Sequence, residues 1–388
     1  MTTSESNEWA AAWATAVQRP SLTPWYPNWS EDGFDHHSVR QVIRVSVGGS
    51  RLRIRLSNEY GTAPLRLSGA SIGKTEEGAA VRPETMRPLS FGGSTAVTVP
   101  AGEQVASDPI ELPVEALEQL TVTLYFEEAT GPSTFHSVAM SLSYRADGDH
   151  LDAPGAAAFT QTSFSWYYLA GVDVPDTGDT VVLFGDSLTD GYGATPGADD
   201  RYPDELAKRL VAAGRATPVV NAGIGGNRVL NDSMCFGEKA TARFQRDVLS
   251  RPRVGTVIVL EGINDIILEH DRSPCAMPNP RVSAKELIDG YRMLIRAARE
   301  QKIKIIGGTL PPFEGAEYYT EDGETVRAAV NDWIRSSGEY DAVVDFDKVL
   351  ADPEHAGRLL PAYDSGDRLH PSPAGYRAMA EAVDLASL

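Results

Sequence analysis

The chain has 388 residues, 42% of them apolar, and carries a formal net charge of −19 at pH 7. That length suits two domains better than one. The charge repels phosphate backbones and anionic membranes, which argues against nucleic acid as a partner. No stretch approaches the roughly 20 consecutive apolar residues that span a bilayer. With two cysteines, seven scattered histidines and no H-E-x-x-H or C-x-x-C spacing, neither a metal centre nor a disulfide scaffold is expected. His36 and His37 are adjacent, and adjacent strand residues point to opposite faces, so they do not form a metal pair.

The opening Met1–Asn7 is polar, with neither a basic nor an apolar leader region. As written it reads as cytoplasmic, or as secreted if a leader was removed. Up to about residue 176 the pattern is short strands between Gly and Pro. Val42–Val47 and Leu52–Leu56 alternate apolar and polar residues, and Gly48-Gly49-Ser50 supplies the expected turn between them. Further strands are expected near Leu65, Ala70, Ala96, Leu120–Phe126, Met140–Tyr144 and Phe164–Leu169. Many short strands at this spacing predict a β-sandwich or jelly roll over residues 1–176. The aromatic run Pro24-Trp25-Tyr26-Pro27-Asn28-Trp29 reads either as a stacking platform for sugars or as packing within the protein, the better-supported of the two.

After the polar join Val172–Asp179 the texture changes to alternating strand and helix, which predicts a parallel sheet covered on both faces over 177–388. Strand tips fall near Ser187, Asn221, Gly262, Leu310 and Asp345, with helices at Tyr202–Leu210, Ala284–Ile295 and after Pro373. In such a sheet chemistry sits at the carboxyl ends of the strands. The apolar run Val181–Phe184 ends in Gly185-Asp186-Ser187, which presents Ser187 as a nucleophile or, more simply, caps a helix. Val219–Asn227 ends in a glycine-rich turn where Gly226 can bring its N–H close to a ligand. Val257–Asp265 ends with Asn264, whose amide can donate a hydrogen bond or hold an Asx turn. Glu261, which precedes the glycine, reads as a local hydrogen-bonding or loop-shaping residue. Ser372-Pro373 is a good start for the last helix, which leaves His370 in the preceding loop with Asp367 three residues before it.

These four blocks, in this order, resemble the SGNH (GDSL-type) hydrolase superfamily, with Ser187, Gly226, Asn264 and His370 at its four named positions. The resemblance implies a flavodoxin-like three-layer α/β/α domain. It also implies a Ser187–His370–Asp367 triad and an oxyanion hole made of the Ser187 N–H, the Gly226 N–H and the Asn264 side chain. The first 176 residues are similar to the β-sandwich domain of a two-domain subset of that superfamily. The absence of a Gly-x-Ser-x-Gly elbow argues against the α/β-hydrolase family. The implied activity is hydrolysis of short-chain carboxylic esters, including acetylated carbohydrates, with no cofactor. The alternatives are a lipase or phospholipase, an acyltransferase using the same site, or a non-catalytic carbohydrate-binding module. The expected partner is a small-molecule or carbohydrate ester, and the oligomeric state is open. Cys235 and Cys275 flank the segment carrying Asn264 and are either bridged or two free thiols, which Cα separation decides.

Overall fold

The computed structural model describes residues 8–23, 25–175 and 177–388; the opening Met1–Asn7 stretch, Pro24 of the aromatic run and Asp176 of the join lie outside them. The chain divides into two compact units, Met1–Gly178 and Asp179–Leu388.

The first unit is built from antiparallel strands. One sheet runs in the order Trp9–Ala14, Leu169–Pro175, Gly49–Ser57, Ile110–Val114, with Gln104–Ala106 also on Gly49–Ser57. The other runs Gln161–Ser163, Ser143–Asp147, His37–Arg44, Gln119–Phe126, Gly69–Glu77, Ala80–Val81. Alternation explains how they meet. Leu52, Ile54 and Leu56 of the first sheet and Val39, Ile43, Leu120, Val122 and Leu124 of the second are buried in one shared apolar cluster. Arg53 and Arg55 sit on the opposite face of their strand, and both Nε atoms pair with buried Asp173 at 3.0 and 2.7 Å.

The turn expected at Gly48–Ser50 does not join a hairpin. His37–Arg44 and Gly49–Ser57 belong to different sheets. The intervening residues cross between the sheets: Val45 N–H donates to Glu118 O, beside one sheet, and Ser46 N–H to Ala12 O, in the other. A sandwich strand pair that changes sheets has the same alternation as a hairpin, so periodicity does not separate them. The aromatic run packs within this unit: Trp29 stacks on Tyr167 at 5.4 Å between centroids, and Tyr26 lies against Phe164 at 5.0 Å.

The second unit is a five-stranded parallel sheet in the order Val219–Gly223, Thr180–Gly185, Val254–Leu260, Lys304–Gly308, Ala342–Val344. In sequence order that is 2-1-3-4-5, the flavodoxin-like arrangement, whose strand order reverses beside the first strand. Every residue of Thr180–Gly185 is buried, as a strand covered on both faces requires. Helices Ala284–Glu300 and Glu321–Ser336 pack together, with Tyr291 stacked on Trp333. Tyr202–Ala212 packs with Pro373–Ala382, where Arg209 donates to the carbonyls of Ala380 and Val383. The longest helix starts in a capping box, with Ser283 Oγ accepting from the Glu286 N–H and Glu286 accepting from the Ser283 N–H. It buries Leu287, Tyr291, Leu294, Ile295 and Ala298, the spacing of one helix face. The second unit is thus a flavodoxin-like α/β domain, and the first an all-β sandwich. Among the described residues no helix is long and apolar enough to cross a membrane.

Candidate active site

Ser187 opens a one-turn helix, Ser187–Asp190, directly at the tip of the first strand. Asp186 is its N-cap and accepts the Leu188 N–H at 3.0 Å; Gly191, at φ 109°, ends it through a bond from its N–H to Ser187 O. The turn is tight because Gly185 lacks a side chain: a Cβ there would lie 2.2 Å from Leu260 O. The turn is pinned to the neighbouring strand tip. Asn221 Nδ2 donates to Thr189 O at 2.9 Å, and the Gly225 N–H donates to Asp190 Oδ2 at 2.8 Å.

His370 comes from the loop before the last helix, whose N-cap is Ser372 with Pro373 following. Its Nε2 is 2.8 Å from Ser187 Oγ and its Nδ1 is 2.6 Å from Asp367 Oδ2. Asp367 Oδ1 accepts the N–H groups of Leu369 and His370 at 2.9 and 2.8 Å. Burial opposes the Asp367 charge, but the hydrogen bonds and proximity of His370 win and hold its carboxyl down to about 2. Tyr192 packs its ring against the imidazole, 4.6 Å between centroids, and Tyr376 Oη donates to Tyr192 O at 2.6 Å. The imidazole is therefore held by an acid, a ring and its own loop.

Asn264 sits in the first turn of the short helix Ile263–Ile267 after the third strand. Its Nδ2 donates one N–H to Asn227 O at 3.0 Å, which orients the amide and leaves its second N–H. Gly226, the residue before Asn227, has φ 74°, and a Cβ on it would lie 2.5 Å from the Phe236 ring. Both the backbone conformation and the close approach require glycine. Phe236 follows Cys235, which is disulfide-bonded to Cys275 with a Cα separation of 5.1 Å. Asn227 Nδ2 also reaches the carbonyls of Phe236 and Glu238 at 2.6 and 2.8 Å, closing that loop over the glycine.

The structure brings Ser187, Asp367 and His370 into one hydrogen-bonded relay and links Asn264 to the Gly226–Asn227 turn. It also shows residues that sequence reasoning passed over. Asp265 accepts the N–H groups of Val229 and Leu230, and burial lifts its carboxyl to about 6 despite them. Glu261, read as a local hydrogen-bonding or loop-shaping residue, is fully enclosed, paired with Arg243 at 3.3 Å, and pushed well above the usual carboxylate range by burial and by Asp186. Asp190 and Asn221 lie within the recognised blocks, so their spacing from Ser187 and Gly223 was the available signal. Arg243 carried none. Among the described residues no group of three or more His, Cys, Asp or Glu side chains is arranged to hold a metal ion.

The GDSL-like Lipase/Acylhydrolase family matches residues 183–378, half of the chain. No curated protein matches it. Solved structures similar to it include a lipolytic protein of the G-D-S-L family from Desulfitobacterium hafniense, described there as putative: 24% identity, 54% of this chain and 98% of that one, TM-score 0.40. A GDSL-like lipase from Bacteroides thetaiotaomicron is 20% identical over 54% of this chain and 87% of its own, TM-score 0.39. A variant of an acetyl xylan esterase from Geobacillus stearothermophilus is 26% identical over 53% and 93%, TM-score 0.42.

Proposed function

The chain belongs to the GDSL-like lipase/acylhydrolase family, and on that premise we propose that it is a serine esterase that cleaves short-chain carboxylic esters, acetyl esters of carbohydrates among them, through an acyl-enzyme. The reading rests above all on the unbroken relay from Asp367 through His370 to Ser187 Oγ, at 2.6 and 2.8 Å. Three groups are joined there in the order that nucleophile activation needs.

In this mechanism His370 Nε2 takes the Ser187 proton as Oγ attacks the ester carbonyl. Asp367 remains a carboxylate far below neutral pH, so it fixes the Nδ1–H tautomer and stabilises the imidazolium that forms. The second Asn264 N–H, the Gly226 N–H and the Ser187 N–H receive the oxyanion. His370 then passes its proton to the departing alkoxide, which leaves as the alcohol. Water, deprotonated by the same imidazole, attacks the acyl carbon, the bond to Ser187 Oγ breaks, the imidazolium returns the proton to Oγ, and the acyl group leaves as a carboxylic acid. The proposed division of labour gives residues 177–388 this chemistry and residues 1–176 a separate β-sandwich domain.

The test is hydrolysis of p-nitrophenyl acetate, butyrate, octanoate and palmitate by the wild type and by Ser187→Ala. Ser187 is small and sits at a strand tip, so the variant should melt like the wild type and turn over no ester. Activity that peaks at acetate or butyrate supports the reading. A peak at palmitate removes the short-chain assignment, and a fully active Ser187→Ala removes the nucleophile.

A further inference from the structure

We propose that Arg243 is a positioning residue for the active site, holding in register the three strand tips that carry Ser187, Gly226 and Asn264. Arg243 is the penultimate residue of the short helix Ala240–Phe244 and has no solvent exposure. A guanidinium has five N–H donors in one plane, and here all five are used. Nη2 donates to Gly185 O at 2.8 Å, two residues before Ser187, and to Glu261 Oε2 at 3.3 Å, three residues before Asn264. Nη1 donates to Ala222 O at 2.8 Å, on the strand leading to Gly226, and to Asp247 Oδ2 at 3.2 Å. Nε donates to Asn227 Oδ1 at 2.8 Å, the residue that follows Gly226 and whose carbonyl orients the Asn264 amide. The guanidinium carbon lies 4.0 Å from the centroid of the Phe184 ring.

One plane thus touches the carboxyl ends of three adjacent parallel strands. A preorganised oxyanion site depends on the relative placement of donors from different segments, and a displacement near 1 Å costs on the order of 100-fold in rate. The surroundings also favour an arginine. Asp186 Oδ2 and Glu261 Oε1 are buried without a hydrogen-bond partner, so the site holds more carboxyl groups than cations to match them. A lysine supplies charge but only three donors from one point, and cannot span acceptors spread across a plane.

This inference rests on the acyl-transfer reading, and its test separates the two. Arg243→Lys keeps the charge. With active sites counted by acylation burst, it should lower kcat on p-nitrophenyl acetate tenfold or more at nearly constant KM. Phenylboronic acid, which mimics the tetrahedral intermediate, should lose affinity in the same proportion. A folded Arg243→Lys that melts lower but keeps wild-type kcat and boronate affinity makes Arg243 a structural residue only, and overturns the proposal. If Arg243→Lys does not fold, Asn227→Ser withdraws the Nε acceptor together with the Nδ2 bonds to Phe236 O and Glu238 O, and Asn227→Asp, which keeps the acceptor and loses only the Nδ2 bonds, is measured beside it. A kcat tenfold lower for Asn227→Ser than for Asn227→Asp at constant KM then supports the proposal, and equal kcat values for the two overturn it. A wild type that neither hydrolyses the ester nor binds the boronate brings down the acyl-transfer reading itself, and this inference with it.

Discussion

Replacing Cys235 and Cys275 together by serine should lower both stability and turnover. The bridge closes a loop with a sequence separation of 40, which contains the whole strand Val254–Leu260 and Asn264. The chain-entropy relation gives about 4 kcal/mol for a loop of this length at 25 °C. The unit that contains it spans Asp179–Leu388. At roughly 2–4 °C per kcal/mol for a domain of that size, the midpoint should fall by about 8–16 °C. Turnover should fall further than stability alone implies, because the Cys235 loop sets Phe236 against Gly226 and offers two carbonyls to Asn227. The assay is a thermal melt of wild type and double variant, followed by kcat at a temperature where both are folded. A thiol titration of denatured, unreduced wild type checks the bridge itself. Two free thiols in that titration, or a bridged wild type melting within 2 °C of the variant, would refute the reasoning.

Asp367→Asn should reduce kcat by about four orders of magnitude with little change in KM, because the amide favours the wrong imidazole tautomer; near-wild-type turnover, measured on p-nitrophenyl acetate, would remove Asp367 from the relay. Glu261→Gln should change how stability depends on pH. Burial, reinforced by Asp186, raises the folded Glu261 carboxyl, so the folded state holds this proton more tightly than the unfolded state, and its contribution falls as pH rises above about 4.3. The neutral amide has no such dependence, so its stability relative to wild type should grow from pH 5 to pH 8 in urea unfolding, and an equal difference at both values would contradict the assignment.

Much of this site was legible in the sequence because its elements are local. Val181–Phe184 followed by Gly-Asp-Ser is a buried strand with a turn at its tip, and both features follow from neighbouring residues. Ser372-Pro373 marks a helix start, which fixes His370 and Asp367 in the loop before it. The illegible parts depend on distances between segments. Cys235 and Cys275 are 40 residues apart, a separation compatible with either a bridge or two thiols until their Cα atoms are placed. Arg243 lies in Ala-Thr-Ala-Arg-Phe, where a buried arginine and a surface one read alike. Its five acceptors come from three other segments and its own next turn. The crossing at Val45–Gly48 was misread for the same reason: alternation reports which face is buried, but not which sheet the strand joins.

The short Asp367–His370 spacing also bears on how the enzyme tolerates heat. The proposed acid and base ride on one loop that is bonded to itself, with the Arg368 N–H on Asp364 and the Ser365 N–H on His370 O. Thermal agitation therefore moves them together, and the internal geometry of the pair survives. Within the proposed relay only one separation, between His370 Nε2 and Ser187 Oγ, spans distant parts of the chain. The relay then has a single soft coordinate, and warming should weaken it first by drift along that coordinate.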